Sequence, residues 1–349
     1  MPHAPDRLFE PIEIGSLRLA NRVVMAPMSR NRADALEAAH ALTAEYYGQR
    51  AGAGLIVTEA SPISPEGRAN RSAPGVYGEN QIAGWRLVTR AVHAGGGRIF
   101  LQLWHAGRVS HASVQPEGAP PLAPSAIAAR GFAVPRALAA EAIPGVVAQF
   151  AQAAKNAREA GFDGVEVHAA NGYLIDEFLR DGANRRSDAY GGPVANRCRF
   201  LFEILDAVGS SWDRGRIGVR LSPANPYNDM RDSEAQGTFG EIAQGLSGRG
   251  LAFLHVDESP REGFDWASFR RRYTGTYIAN GGYDRERAAA ALETGHADLV
   301  SFGALYLANP DLAERFRIGA RLNRPERSTF YGGGERGYTD YPSLEQEEQ

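Results

Sequence analysis

Eight compact apolar runs recur along the chain with helical segments between them, and no other feature constrains the fold as much. The runs are Val23–Met28 (VVMAPM), Leu55–Ala60 (LIVTEA), Ile99–Trp104 (IFLQLW), Val165–Ala169 (VEVHA), Ile217–Ser222 (IGVRLS), Phe253–Asp257 (FLHVD), Thr276–Asn280 (TYIAN) and Leu299–Gly303 (LVSFG). Short branched apolar runs of this kind suit strands buried on both faces of a parallel sheet. Helical period or composition marks Ala35–Ala53, Gln81–Gly95, Ala139–Ala160, Ala195–Ser211, Thr238–Arg249, Arg285–Thr294 and Leu312–Leu322. Several of these stop at a glycine just before the next strand, as at Gly161, Gly250 and Gly295, which is the expected C-terminal cap. Eight such units argue for closure into a (β/α)8 TIM barrel. An open doubly wound sheet would need a glycine-rich loop after its first strand, and MAPMSRNRA has no glycine.

The remaining segments fit around that barrel, which is expected to be a single domain over residues 1–349. LFEPIEIGSLRLANR reads as an N-terminal hairpin closing the bottom. Ser110–Arg136, rich in Pro, Ala and Ser, reads as an excursion after strand 3 poised to cover the barrel mouth. The acidic end, about 343–349, is expected to fray.

Charge and cysteine content narrow the partners. The chain carries 38 basic and 41 acidic residues, a net −3, with no long block of either sign, so neither nucleic acid nor an anionic membrane is expected as a dedicated partner. The one cysteine, Cys198, sits beside Phe200 and Leu201, which excludes an intrachain disulfide or a thiolate metal cluster and favours packing. No apolar run approaches the ~20 residues of a membrane span, and the N-terminus has no apolar export region. The expectation is a cytoplasmic protein that acts on small molecules, as a monomer or homodimer, without a metal.

Polar residues gather where the strands end. These are Ser29, Glu59 with Ala60, Gln102 with Trp104, His168 with Asn171 and Tyr173, and Arg220. Because ligands of such barrels bind at the carboxyl ends of the strands, His168, Asn171 and Tyr173 form a group suited to gripping and protonating a polarised atom. On its own, His168 reads equally well as a core residue. Arg220, in an otherwise apolar strand, needs either a carboxylate such as Glu59 or Glu166 or a ligand that develops negative charge. Without a nucleophile–base pair or a carboxylate set, the group suits a planar hydrogen-bonding cofactor better than hydrolysis. Asn280–Gly281–Gly282 and Phe302–Gly303, at the ends of strands seven and eight, sit where barrels often hold a phosphate through backbone amides.

These stretches carry a resemblance. NRVVMAPMSRNRA (Asn21–Ala33), EYYGQRAGAGLIVTEA (Glu45–Ala60), FLQLWHAGR (Phe100–Arg108), FDGVEVHAANGYLIDEFLRDGANRRSDAYGG (Phe162–Gly192), VRLSP (Val219–Pro223), ANGGYD (Ala279–Asp284), ANPDL (Ala308–Leu312) and FYGGGERGYTDYP (Phe330–Pro342) together resemble the old yellow enzyme family. The likeness covers nearly the whole chain. It implies non-covalent FMN in a (β/α)8 barrel, with hydride taken from NADPH or NADH and given to an electron-poor alkene, nitro compound or quinone.

Carried over by position, the resemblance assigns roles. Pro27, Met28, Ser29 and Ala60 would line the flavin, Gln102 its pyrimidine edge and Arg220 the side where reduction builds charge. Asn280, Gly281, Gly282, Phe302 and Gly303 would hold its ribityl phosphate end. His168 and Asn171 would hold the substrate oxygen, Tyr173 would donate a proton, and Trp104 and Tyr331 would line the substrate pocket. Ala304 stands where the family commonly has a phosphate-binding arginine, and Arg285 is a candidate replacement. The stretches GRANRSAPGVYG and ANPYNDMRDSEAQ look individual to this chain. Two other readings remain: a cofactor-free isomerase or hydrolase pairing His168 with Glu166 or Asp176, and a flavin-binding protein without catalysis.

Overall fold

The computed structural model describes residues 6–347. Each apolar run becomes a strand: β1 (Val23–Met25), β2 (Leu55–Pro62), β3 (Ile99–Trp104), β4 (Gly164–His168), β5 (Ile217–Leu221), β6 (Phe253–Asp257), β7 (Tyr277–Asn280) and β8 (Leu299–Phe302). They pair in parallel in chain order, and β8 returns to β1, so the sheet is a closed barrel. Strands buried on both faces can carry apolar residues throughout, which is why the runs show little alternation.

Strand ends differ from expectation for local reasons. The first run stops at Met25, although Ala26 still donates to the Phe302 carbonyl (3.0 Å); Pro27 then lacks the N–H needed to continue. The second runs on to Pro62, with its pairing to β3 shifting between Val57 and Ala60.

The N-terminal hairpin pairs Ile12–Ile14 with Leu17–Leu19. Its Ile14, Leu17 and Leu19 are buried against Val24, Leu55, Val57, Phe100, Phe253, Ile278 and Leu299, sealing the bottom of the barrel. Each such side chain contributes up to ~1.5–3 kcal/mol through burial.

The helical segments need more correction. Only Ala41–Gly48 of Ala35–Ala53 is helical, because Asp34 Oδ1 accepts from the amides of Leu36 and Ala38 and Glu37 takes φ +57°; this aspartate-led turn competes with helix. Ala195–Ser211 divides into Val194–Arg197 and Arg199–Gly209. The helix expected at Thr238–Arg249 lies at Ala235–Leu246, and that at Leu312–Leu322 ends at Ile318, capped by left-handed Gly319.

The 110–136 excursion does not wall the cavity described below. It forms short turns and a two-residue strand pair, Leu122–Ala123 with Arg136–Ala137, and is fastened by Arg186 to the Pro124 carbonyl (3.0 Å) and by Arg130 to Asp229 (3.2 Å). The acidic end carries local structure. Leu344–Glu347 forms a helical turn, with the Leu344 amide on Asp311 (2.7 Å) and Glu347 on buried Arg315 (2.9 Å); residues 348–349 lie outside the described residues.

Candidate active site

Strand register assembles a polar layer inside the barrel. Gln102 of β3 pairs with Glu166 of β4, while Arg220 of β5 stands opposite His168 of β4 and His255 of β6. Gln102 Nε2 donates to Glu166 Oε1 (2.7 Å), His255 Nδ1 lies 2.7 Å from Glu166 Oε2, and His255 Nε2 lies 2.7 Å from Ser301 Oγ. Arg220 places Nη1 2.7 Å from His255 Nε2 and donates from Nη2 to Asn280 Oδ1 (2.9 Å). Burial, then the Arg220 charge, lowers the His255 pKa. A neutral ring with its proton on Nδ1 satisfies this pattern, donating to Glu166 and presenting Nε2 as acceptor.

Neither carboxylate considered for Arg220 pairs with it. Glu166 is separated from it by His255, and Glu59 accepts from the backbone amides of Arg30 and Asn31 (3.0 and 3.4 Å). Burial raises the Glu59 pKa to about 7 despite those bonds. Among the described residues, Arg220 therefore has no carboxylate directly on it.

Above this layer is a cavity of about 330 Å³, lined by Pro27, Met28, Ser29, Ala60, Gln102, His168, Asn171, Tyr173, Gly303 and Ala304, with Tyr227, Leu307, Phe330 and Tyr331 at its sides. A second cavity of about 360 Å³ meets it at Gly303 and Ala304 and is bounded by Asn280, Gly281, Gly282 and Phe302. Trp104 is not in either wall. It is 3% exposed and packs behind Tyr173, ring centroids 5.1 Å apart at 82°.

The β4 end shapes the reactive group. Asn171 adopts φ +59°, a conformation asparagine tolerates, with its amide on Ser222 Oγ (2.7 Å) and its carbonyl accepting from Asn228 Nδ2 (2.8 Å). Gly172 follows at φ +74°, where a Cβ would lie 2.7 Å from Met230 and 2.8 Å from Asn228. A side chain there would push the 227–230 loop off the site. Tyr173 then stacks edge-on against His168, centroids 5.1 Å apart.

Two polar atoms in this wall, His168 Nδ1 and Asn171 Oδ1, are buried without a protein partner. Buried polar groups are nearly always satisfied, so these atoms are free for a ligand. Burial, then Arg220 and His255, holds the His168 pKa well below the imidazole range, so the ring is neutral. Burial likewise raises the Tyr173 phenol, which stays protonated. Among the described residues, His168 has no carboxylate partner. Asp176 is held by Arg180 Nε (2.8 Å) and the Gly172 amide (2.9 Å).

The cover of the cavity, Phe330–Tyr331, is tied down through its backbone. Arg30 Nε donates to the Phe330 carbonyl (2.9 Å) and Nη2 to the Gly337 carbonyl (2.7 Å), while Arg32 donates to the carbonyls of Thr329 (3.0 Å) and Gly334 (3.1 Å). Both guanidiniums also lie over the Tyr338 ring, at 4.9 and 4.5 Å.

The model of the NADH:flavin oxidoreductase / NADH oxidase family matches residues 7–323. The chain belongs to this old yellow enzyme family. It is 44% identical over 359 residues to a probable flavin mononucleotide-dependent alkene reductase of Leishmania infantum, covering 97% of this chain and 98% of that one. To 12-oxophytodienoate reductase 7 of Oryza sativa subsp. japonica it is 44% identical, over 97% of this chain and 95% of the other. Among solved structures, morphinone reductase superposes with a TM-score of 0.95 at 46% identity, covering 100% of this chain and 99% of that one. An old yellow enzyme homologue from Zymomonas mobilis gives 0.93 at 41%, covering 97% and 99%.

Membership of the old yellow enzyme family makes the chain an FMN-dependent oxidoreductase that takes electrons from a reduced nicotinamide. The residues present fit that cofactor: two cavities that meet at Gly303 and Ala304, the Arg220 guanidinium bonded to Asn280 in the wall of the second, and unpartnered polar atoms in the wall of the first. No group of three or more metal-ligating side chains occurs among the described residues, and no helix there is long and apolar enough to cross a membrane.

Sequence reasoning missed several participants. His255 and Ser301 sit in strands that read as apolar, and the one available signal was a polar residue inside each run, as at Arg220. Tyr227, Leu307 and Phe330 reach the cavity from loops and a short helix whose position no periodicity encodes. Arg285, the candidate phosphate cation, is committed elsewhere, to Asp6 (2.8 Å) and the Phe316 carbonyl (2.8 Å).

Beneath the site, buried Glu177 accepts from the Arg108 amide (2.8 Å) through Oε1 and leaves Oε2 unpartnered. Burial raises its pKa from 4.5 to about 8. The folded state therefore binds this proton more tightly than the unfolded chain does. The associated stability is complete below about 4.5 and is lost as pH rises through about 8. Urea midpoints at pH 6 and 8.5 should show a loss of roughly 1–4 kcal/mol for the wild type and a clearly smaller one for Glu177→Gln; equal losses would exclude Glu177 as the source.

Proposed function

We propose that the protein reduces electron-poor alkenes by a ping-pong cycle, NAD(P)H reacting first and the alkene second, with Tyr173 as the proton donor. The observation that carries this reading is His168 Nδ1, buried without a protein partner in a cavity wall that also presents Asn171 and a protonated tyrosine. FMN, when bound, would supply the hydride that reaches the β-carbon of the alkene.

The chain's own residues do the rest. Gln102 and Arg220 hold the flavin ring, and the Arg220 charge favours its reduced form. His168, kept neutral by burial, donates from Nδ1 and Asn171 from its amide Nδ2 to the carbonyl or nitro oxygen of the substrate. These contacts strengthen as enolate-like charge develops there, so they stabilise the transition state more than the ground state. Tyr173 gives its proton to the α-carbon. Tyr227 and Tyr331, 60% and 65% exposed, face solvent at the mouth and restrict what enters; Trp104 supports Tyr173 from behind.

The other readings lose their footing. An isomerase or hydrolase needs a carboxylate on His168, and Glu166 and Asp176 are both engaged with other partners. An inert flavin binder has no use for a wall that leaves buried polar atoms free.

The purified protein should be yellow, bleach with NADPH and regain its colour with cyclohexenone. The proposal fails if no enone, nitroalkene or quinone reoxidises the reduced protein faster than oxygen does. His168→Ala should weaken phenol binding about tenfold or more, read from the loss of the long-wavelength charge-transfer band. An unchanged band would place the phenol oxygen elsewhere.

A further inference from the structure

No cation lines the second cavity among the described residues, Ala304 being one of its wall residues, yet two arginines stand on the backbone that bounds it. Arg261 Nη2 donates to the Gly281 carbonyl (2.6 Å), and Arg287 Nη1 donates to the Gly282 carbonyl (2.9 Å). Tyr283 lies between them, its ring 4.5 Å from the Arg261 guanidinium and 5.3 Å from that of Arg287. Its hydroxyl is pinned to buried Glu258 (2.7 Å), which also holds Tyr277 (2.8 Å) and His296 (2.7 Å). Neither arginine forms a salt bridge among the described residues.

The geometry of the peptide unit links these arginines to the cavity. In a trans peptide, the carbonyl and the following N–H point in opposite directions. Arg261 on the Gly281 carbonyl therefore directs the Gly282 N–H away from itself, and Arg287 on the Gly282 carbonyl does the same for Tyr283. Among the described residues, neither of these amides donates to a protein acceptor. Gly281, at φ +114°, and Gly282, at φ +65°, line the cavity, and this backbone conformation is one glycine adopts readily. Asp257, a carboxylate in the same wall, is occupied by the Ser259 amide (3.1 Å) and Asn225 Nδ2 (3.0 Å).

We infer that Arg261 and Arg287 hold the cofactor's phosphate from behind the Gly281–Gly282 turn, orienting its amides and supplying the positive charge that Ala304 lacks. The inference rests on the proposed cofactor site and goes beyond it in naming the residues of this chain that carry the phosphate preference. Both are positioning residues. They act on the anion through two polarised peptide groups, a nest of the kind that binds anions.

The test is a comparison of FMN with riboflavin, which differs only in lacking the phosphate. Apoprotein is titrated with each, following quenching of flavin fluorescence. In the double variant Arg261→Gln, Arg287→Gln, the FMN dissociation constant should rise tenfold or more, while that for riboflavin stays within twofold. The Lys, Lys variant should keep most of the FMN affinity. Raising salt should weaken FMN binding to the wild type and affect the Gln, Gln variant much less. Unchanged FMN affinity in the Gln, Gln variant overturns the inference, as does an equal loss of both flavins, which would signal a disturbed fold. Wild-type protein that binds neither flavin would instead overturn the functional reading beneath it.

Discussion

Tyr173→Phe should slow reoxidation of the reduced enzyme by cyclohexenone roughly 10²- to 10⁴-fold while leaving its reduction by NADPH within about twofold. The hydroxyl is the one feature removed: the ring keeps its edge-on contacts with Trp104 and His168, so the pocket should hold its shape. Only the second half-reaction needs a proton at carbon, and burial keeps the phenol protonated well beyond neutral pH. Stopped-flow absorbance measures the halves separately, and equal slowing in both would reduce Tyr173 to a wall residue. Nitro compounds and quinones, whose reduction does not require a proton at carbon, should be far less affected.

Arg220→Gln should lower the midpoint potential of the bound flavin. A charge-assisted contact of about 1.5–3 kcal/mol corresponds to about 30–65 mV on a two-electron couple, and spectroelectrochemistry would detect it. The loss has a second consequence through His255. In the wild type, Arg220 is among the causes that depress this histidine, while Glu166 raises it. Without the guanidinium the balance moves toward protonation, so the variant's deficit should shrink as pH falls and the imidazolium takes over part of the missing charge. A deficit of the same size at pH 6 and pH 8.5 would show that His255 stays neutral in the variant.

The fold was legible because barrel strands are buried on both faces and are mostly apolar, which leaves eight runs visible without knowledge of their partners. Helix limits were less legible. Asp34 turned the chain onto itself at the start of Ala35–Ala53, and a side chain binding its own neighbouring amides competes with helix without breaking the apolar period. His168, Asn171, Tyr173, Gln102 and Arg220 could be placed at strand ends by counting residues. Their partners could not. That Glu166 serves Gln102 and His255, rather than Arg220 or His168, depends on lateral register between strands far apart in sequence. The same holds for Trp104: its strand position was right, but whether it fronts the cavity or backs Tyr173 is decided by packing between β3 and the loop after β4.

The fastening of Phe330 and Tyr331 has a consequence for how such a protein can change. Arg30 and Arg32 grip this segment through the carbonyls of Thr329, Phe330, Gly334 and Gly337, atoms that almost every amino acid supplies alike. Apart from Gly337, whose φ of +67° and close approach to Thr329 require glycine, the lock does not depend on which side chains the segment carries. Side chains over the mouth can therefore be exchanged without loosening the anchorage, which leaves substrate range free to drift while the cavity beneath keeps its form.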